Sequence, residues 1–212
     1  YGGNKLFHWW NSIKFFYSNS PCFNSNTIIV IGLCDKNRIY IDSELALGSN
    51  LIIVEQNKEN LYINEYMKSS NVSVLIANPK EQETLMKLNL DAKKYIVVST
   101  GKDVDNIEIV SQILTFNHNV NIYVQIENRS LRYFHKENGL LQGSNIKIYS
   151  YYEDASRELF KKYDIDGKNY EILSRNEEYS IVILGNTNLS YEVIFQACIM
   201  GQLPNENKLT IY

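Results

Sequence analysis

Short apolar runs rich in Val and Ile alternate with helix-forming segments along most of this sequence. The first three runs are residues 27–32 (TIIVIG), 51–55 (LIIVE) and 72–77 (VSVLIA). A run of this length with no polar face is typical of a strand buried on both sides of a parallel sheet. Residues 95–99, 121–126 and 146–149 continue the pattern. The sequence therefore predicts an α/β fold with a doubly wound parallel sheet of Rossmann type.

Helices are predicted between these strands, at residues 38–47, 58–69, 80–88, 104–116 and 130–137, with a further helix at 153–163. Right-handed crossovers place the carboxyl ends of all the strands at one edge of the sheet. Ligands of doubly wound folds bind outside that edge. The turns that follow the strands are therefore the places to look for a binding site.

The opening pattern returns near the end of the sequence. Residues 180–185 (SIVILG) resemble residues 27–32, and a helix at 189–201 and a strand at 208–212 follow. The repeat predicts the start of a second, incomplete Rossmann-like unit. The predicted division is a leader at 1–26, the main domain at 27–163, a polar linker at 164–179 with a candidate strand at 170–173, and the partial unit at 180–212. We expect the sequence to be a piece of a longer protein.

The leader contains apolar residues at helical spacing: Leu6, Trp9, Trp10, Ile13, Phe16 and Tyr17. They predict an amphipathic helix with an apolar face. A pair of tryptophans is also found on helices at membrane interfaces. Only Lys5 and Lys14 supply positive charge for lipid head groups, so packing on the domain or on a partner subunit is the favoured interpretation.

Composition excludes several classes of protein. The net charge is −3, whereas nucleic-acid binders usually carry a basic excess. Three cysteines and three histidines are scattered, which argues against a zinc site, another metal site or a disulfide framework. No apolar run reaches the ~20 residues that span a bilayer. The pattern is typical of a reduced, cytoplasmic protein.

The turn after the first strand is the candidate phosphate site. Dinucleotide-binding folds carry G-x-G-x-x-G here, because backbone N–H groups must approach a pyrophosphate at the start of a helix. This sequence has Gly32-Leu33-Cys34-Asp35-Lys36-Asn37, in which only the first glycine is kept. Cys34 and Asn37 stand at the other glycine positions and add bulk. Asp35 would repel a phosphate, while Lys36 would attract one.

Two further turns carry candidate residues. Glu55 ends the second strand, 23 positions after Gly32, near the ~20 expected for a carboxylate that binds ribose hydroxyls. A solvated carboxylate at a strand end explains Glu55 equally well. Ser99, Thr100 and Gly101 end the fourth strand and are small enough to let a nucleotide approach, although a turn with a helix cap would need the same residues. In the second unit, the turn at Gly185 is better explained by packing.

Together these segments resemble a known family. Residues 27–163 are similar to the regulator-of-potassium-conductance (RCK) domain, also called the TrkA N-terminal domain. The strongest match is residues 95–106 (YIVVSTGKDVDN), which resemble the family's "VVATGDDxxN" segment. Residues 77–79 stand where the family has a "GDAT" turn. Residues 151–162, the Gly185 turn and residues 202–212 resemble bacterial TrkA-like proteins with two tandem domains behind a membrane region.

The resemblance implies a regulatory protein. Domains of this family bind nucleotides or ions, pair with one another, and pass the ligand state to a potassium channel or transporter. It implies NAD(H), ATP or ADP as ligand, a homodimer or higher homo-oligomer, a membrane part in the same full-length chain, and a place at the cytoplasmic face of the bacterial inner membrane. The resemblance implies ligand contacts from the backbone around Gly32 and Cys34 for the phosphates, from Glu55 for the ribose, and from Ser99, Thr100 and Gly101 on the opposite wall, with Asn37 as a further binding residue.

Two other functions stay open at this point. The missing glycines are compatible with a degenerate domain that binds no ligand and serves in assembly. A nicotinamide-dependent oxidoreductase needs a substrate domain and a proton donor near the cofactor. No Ser/Tyr/Lys or His/Asp arrangement of recognisable spacing occurs in the sequence. A regulatory domain without enzymatic activity is therefore the prediction.

Overall fold

A computed structural model describes residues 10–13, 15, 27–90, 95–116, 119–139, 141–163, 178–201 and 208–212. The chain divides into two compact units, Tyr1–Ile148 and Tyr149–Tyr212.

The first unit is built on a six-stranded sheet. Its strands are β1 (Thr27–Ile31), β2 (Asn50–Glu55), β3 (Val72–Ile76), β4 (Tyr95–Val98), β5 (Ile122–Gln125) and β6 (Ile146–Tyr149), in the spatial order β3-β2-β1-β4-β5-β6. The pairs β1–β2, β2–β3, β1–β4 and β4–β5 are parallel. The strand order reverses between β1 and β4, as in a Rossmann fold. The prediction of a doubly wound sheet is confirmed.

The helices of the first unit are α1 (Asp35–Ala46), α2 (Ile63–Tyr66), α3 (Gln82–Met86), α4 (Asp103–Phe116) and α5 (Arg129–Glu137). The helix predicted at 58–69 is much shorter in the structure. The side chains of Asn57 and Asn60 accept hydrogen bonds from the N–H groups of Glu59 and Tyr62, and such local bonds compete with a helix. No helix among the described residues is long and apolar enough to cross a membrane.

The core lies on both faces of the sheet, which explains why the strands lack a polar face. Every residue of β1 is fully buried. Ile29 and Ile31 pack in one cluster with residues of α4, whereas Ile28 and Val30 pack in the other with Ile41 of α1. Successive side chains of a strand point to opposite faces, so a strand covered on both faces must be apolar throughout.

The second unit contains α6 (Tyr151–Lys162), β7 (Glu178–Ile181), α7 (Asn188–Met200) and β8 (Lys208–Ile211). β7 and β8 pair in parallel around α7, which is the βαβ arrangement expected from the repeat. The sequence division ended the main domain at residue 163, whereas the compact units divide before α6, because α6 packs against α7. The candidate strand at 170–173 and most of the proposed linker lie outside the described residues.

The described part of the leader packs on the first unit through Asn11 and Phe15. Residues 10–13 and 15 are helical. Trp10 is 53% exposed, whereas Asn11 is 8% exposed and Phe15 packs against the core. Asn11 is buried because its amide satisfies hydrogen-bonding groups at the sheet edge, and the packing of the predicted apolar face on a partner subunit stays a prediction. Leu6, Trp9, Phe16 and Tyr17 lie outside the described residues.

The backbone at Gly32 lies in close contact with the backbone at the end of β4. Its φ is +93°, and a Cβ built there would lie 2.4 Å from the carbonyl oxygen of Ser99 and 2.7 Å from the Cα of Thr100. The turn after β1 therefore rests on the backbone at the end of β4. No residue with a side chain fits this position without moving one of the two strands.

We predict that Gly32→Ala lowers the free energy of unfolding by about 2–4 kcal/mol, through overpacking and a left-handed φ together. Gly48 is the matched control, because it also has a positive φ (+80°) but has nothing within 4 Å of an added Cβ. Gly48→Ala should cost about 1–2 kcal/mol for the left-handed φ alone. Urea unfolding measures both. Equal losses would contradict the close approach at Gly32.

Candidate functional site

A cleft of about 170 Å³ opens at the carboxyl edge of the sheet, between the segments that follow β1, β2, β3 and β4. Its lining residues are Gly32, Val54, Glu55, Gln56, Asn57, Pro79, Lys80, Thr100, Lys102, Asp105 and Ile109. The cleft therefore brings together three sequence-predicted site residues, Gly32, Glu55 and Thr100. Cys34, Asn37, Ser99 and Gly101 are not part of the lining.

Glu55 is fastened to the turn after β1. Its Oε2 accepts the N–H of Leu33 at 2.9 Å, and its Oε1 accepts the N–H of Asn57 at 2.7 Å. The side-chain amide of Asn60 donates to the same Oε2 at 3.2 Å and to the carbonyl of Leu33 at 2.7 Å. An ionised carboxylate offers roughly four acceptor sites. Glu55 is thus held in place and keeps capacity for a hydroxyl donor in the cleft.

Asn37 replaces the third glycine of the dinucleotide pattern with a hydrogen-bonding bridge. It is completely buried. Its Oδ1 accepts the N–H of Cys34 at 3.0 Å, and its Nδ2 donates to the carbonyls of Gly32 at 2.7 Å and Ser99 at 3.3 Å. The side chain of Asn37 therefore fits at this contact, because its amide is hydrogen-bonded to the turn after β1. Asn37 lies in α1, and its hydrogen bonds hold the turn after β1 in position.

Cys34 and Ser99 face each other between β1 and β4. The Cys34 thiol lies 3.9 Å from the carbonyl oxygen of Ser99 and 4.0 Å from its Oγ. Ser99 is completely buried, and its hydroxyl is hydrogen-bonded to Oε1 of Gln125. Their side chains therefore join the two strands rather than face the cleft.

The turn after β4 is shaped by Asn106. Its Oδ1 accepts the N–H and the hydroxyl of Thr100 at 2.8 and 2.7 Å, and its Nδ2 donates to the carbonyl of Gln125 at 2.9 Å. This buried amide ties β4, α4 and β5 together. Gly101 has a φ of +87° and is exposed, so its role in the structure is to allow the turn.

Lys80, Lys102 and Asp105 are cleft residues that the sequence reasoning missed. Lys80 follows the turn after β3, and its ammonium pairs with Asp105 at 2.6 Å and Glu108 at 2.7 Å. The hydrogen bonds to Asp105 and Glu108 raise the pKa of Lys80. The ammonium thus connects the segment after β3 to α4 and closes one side of the cleft. Spacing along the sequence does not reveal this pairing, although Lys102 and Asp105 lie within the segment that carries the family resemblance.

A second group of charges connects the start of α1 to the end of β5. The Lys36 ammonium lies 3.5 Å from Oε1 of Glu127, which also accepts from Nε2 of Gln125 at 2.6 Å. Asp103 accepts the N–H groups of Glu127 and Asn128 at 2.9 and 2.7 Å. Asp35, beside Lys36, accepts the hydroxyl of Tyr62.

Within the described part of the chain no three His, Cys, Asp or Glu side chains form a group that would hold a metal ion.

Comparison with known proteins gives one family. The model of the TrkA-N domain matches residues 28–142, more than half of the chain. A search of curated protein sequences gave no significant match.

Several solved structures share the fold. The GsuK channel bound to NAD is 18% identical, with a TM-score of 0.53 over 64% of this chain and 23% of that one. GsuK bound to ADP is 16% identical, with a TM-score of 0.61 over 89% of this chain and 44% of that one. The TrkA-N domain of the inner membrane protein ybaL from Escherichia coli is 15% identical, with a TM-score of 0.56 over 66% of this chain and 98% of that one. The chain therefore spans less than half the length of the channel chains.

We predict that Asn37→Gly, which restores the third glycine, destabilises the protein by about 2–4 kcal/mol. The substitution leaves the Cys34 N–H and the Gly32 carbonyl without their partner and adds the cost of glycine in a helix. Ser43→Gly, at an exposed position of the same helix, should cost only about 0.5 kcal/mol. Urea unfolding measures both. A stabilised Asn37→Gly variant would show that the amide bridge contributes nothing.

Proposed function

The chain belongs to the TrkA-N domain family, and we propose from that premise that its first unit is a nucleotide-sensing regulatory domain of a potassium channel or transporter. The observation that carries the proposal is the shared cleft of Gly32, Glu55 and Thr100 at the carboxyl edge of the sheet. This is the edge at which doubly wound folds bind ligands. The solved structures of GsuK with NAD and with ADP support an adenosine nucleotide as the ligand class.

Glu55 is the proposed ribose contact. Its carboxylate is already oriented by the N–H groups of Leu33 and Asn57, so binding a diol costs little further ordering. Thr100 forms the facing wall with the backbone of Gly32, and Gly101 permits the turn there. Cys34, Asn37 and Ser99 act indirectly, by setting the path of the turn.

The phosphates have fewer partners than in a domain with three glycines. The N–H groups of Leu33 and Cys34 already donate to Glu55 and Asn37. The Lys36 ammonium, in the first turn of α1, is a candidate cation for a phosphate, and it is paired with Glu127. We therefore propose that ribose and base contribute more to affinity than the phosphates.

The proposed mechanism is a shift between two arrangements of paired domains. A ligand changes such an equilibrium only by its difference in affinity for the two arrangements. The proposed assembly is a homodimer or higher homo-oligomer, attached to a membrane-embedded potassium pathway in the same full-length chain, at the cytoplasmic face of a bacterial inner membrane. The second unit, with its βαβ start, is proposed to belong to a tandem domain of the same kind.

An assembly domain without ligand is the second candidate. It is favoured because the N–H groups of Leu33 and Cys34 already donate to Glu55 and Asn37, whereas in a binding domain they would donate to a phosphate. An oxidoreductase is less well supported, because no serine, tyrosine or histidine is among the described residues that line the cleft. Lys80 lies at the cleft wall with two carboxylate partners, and they raise its pKa, which makes its ammonium a poorer proton donor.

We predict that ADP, ATP or NAD(H) raises the melting temperature in a concentration-dependent way. A ligand that binds only the native state stabilises it by about 2.7 kcal/mol at 100 times its Kd. Differential scanning fluorimetry with adenosine and with AMP, ADP and NAD(H) tests this. We expect ADP to bind at most about tenfold tighter than AMP, the equivalent of one charge-assisted hydrogen bond. The absence of a shift with every nucleotide at millimolar concentration would favour the assembly domain.

We predict that Glu55→Gln weakens ADP binding about tenfold or more, because a carboxylate–hydroxyl bond is replaced by a weaker one. Calorimetry with ADP and with 2′,3′-dideoxy-ADP separates ribose contact from damage to the turn. Loss of a ribose contact weakens ADP alone, whereas a displaced turn weakens both ligands. Glu59→Gln, an exposed glutamate in the same loop, is the control. Equal weakening of both ligands would remove Glu55 from the ribose site.

A further inference from the structure

The strand β3 forms one edge of the six-stranded sheet. The carbonyl of Asn71 accepts from Leu51 at 2.8 Å, and the N–H of Ala77 donates to the carbonyl of Glu55 at 3.1 Å, so these odd-numbered positions face β2. Backbone groups alternate in direction along a strand. The N–H and C=O groups of Val72, Val74 and Ile76 therefore point away from the sheet, with Val74 at the centre of the edge.

Asn11 of the leader occupies the centre of that edge. Its Nδ2 donates to the carbonyl of Val74 at 2.6 Å, and its Oδ1 accepts the N–H of Val74 at 2.9 Å. A carboxamide carries the same donor and acceptor as a peptide group. Asn11 therefore takes the place that a residue of a seventh strand would have. It is 8% exposed, and Phe15, one helical turn later, packs on the core.

We propose that Asn11 is an edge guard, which keeps β3 from pairing with the β3 of a second copy of this chain. Exposed edges with unpaired backbone groups are templates for pairing, and natural proteins cover them. The proposal concerns the leader and the sheet edge, and it does not depend on whether a nucleotide binds.

The strand that would pair with the uncovered edge of β3 is the β3 of a second copy of the chain. The strand is Val-Ser-Val-Leu-Ile, with no charge, glycine or proline to prevent pairing. A two-fold axis midway between the Val74 residues of two copies lets the Val74 N–H of each copy donate to the Val74 carbonyl of the other, which is a self-complementary contact. The two groups needed for this contact are the two that Asn11 occupies. A new strand can therefore add at the centre of the edge only when Asn11 leaves.

Hydrogen exchange of the Val74 amide tests the guard directly. In the full chain at low protein concentration, Asn11→Leu keeps a similar side-chain volume but removes both hydrogen bonds. We expect exchange at Val74 about tenfold faster or more, as for a lost buried hydrogen bond. Asn64→Leu, at an exposed asparagine of α2, should leave Val74 unchanged. Unchanged exchange in Asn11→Leu would overturn the proposal.

Sedimentation at increasing protein concentration tests the partner. Relative to the wild type, Asn11→Leu should form an additional concentration-dependent species, and Val74 should regain protection in it. Adding Ile76→Lys, at a position 38% exposed on β3, should abolish that species, because the two-fold pairing would place each lysine opposite the apolar Val72 of the other copy and would charge an otherwise uncharged edge strand. If the additional species persists in the variant that also carries Ile76→Lys, pairing through β3 is wrong. The same holds if Asn11→Leu exposes the Val74 amide to exchange but forms no additional species.

A milder variant covers the case in which Asn11→Leu does not fold. Asn11→Asp keeps an acceptor for the Val74 N–H but places an oxygen opposite the Val74 carbonyl. We expect Val74 exchange and self-association between those of the wild type and Asn11→Leu, with the native circular dichroism spectrum retained. Wild-type behaviour of Asn11→Asp in both measurements would show that the donor half of the amide is unnecessary and would contradict the guard.

Discussion

The contact between the turn after β1 and the end of β4 is the constraint on which the rest of the first unit depends. Gly32 has no Cβ, so its backbone lies against Ser99 and Thr100. The buried amide of Asn37 then joins Gly32, Cys34 and Ser99. This arrangement sets where α1 begins and holds the two central strands together at the point where the strand order reverses. The cleft exists at this edge because the turn takes this path.

The same constraint links the stability of the turn to the chemistry of the cleft. Glu55 faces the cleft, yet it also holds Leu33 in place. Any ligand that bonds Glu55 therefore acts on a group that positions the turn after β1. In a domain that signals occupancy, such a link is useful, because ligand contacts and backbone geometry change together. The amide of Asn37 works against phosphate binding, since it accepts the Cys34 N–H, which a glycine at this position would leave for a phosphate.

The fold was largely predictable from the sequence, and the site much less so. Strands such as TIIVI and NLIIVE are apolar on both faces, and this pattern has one common explanation, a covered parallel sheet. Helix bounds were harder, because Cys34 and Asn37 start α1 early and Asn57 and Asn60 divert the chain before α2. In the site, Gly32, Glu55 and Thr100 could be found because motif spacing places them. Lys80 and Asp105 could not, since 25 residues separate partners that meet across the cleft.

The order of apolar runs and helices by itself determined the sheet, its doubly wound connections and the edge at which a ligand would bind, because burial on both faces leaves few arrangements. The tertiary structure alone decided which side chains face the cleft and which turn inward. It also decided that Asn11, rather than Trp10, is buried on the leader. The physical reason is that the hydrogen-bonding needs of a buried backbone group, such as Val74 at the sheet edge, depend on what lies beside it in space and leave no periodic signal in the sequence.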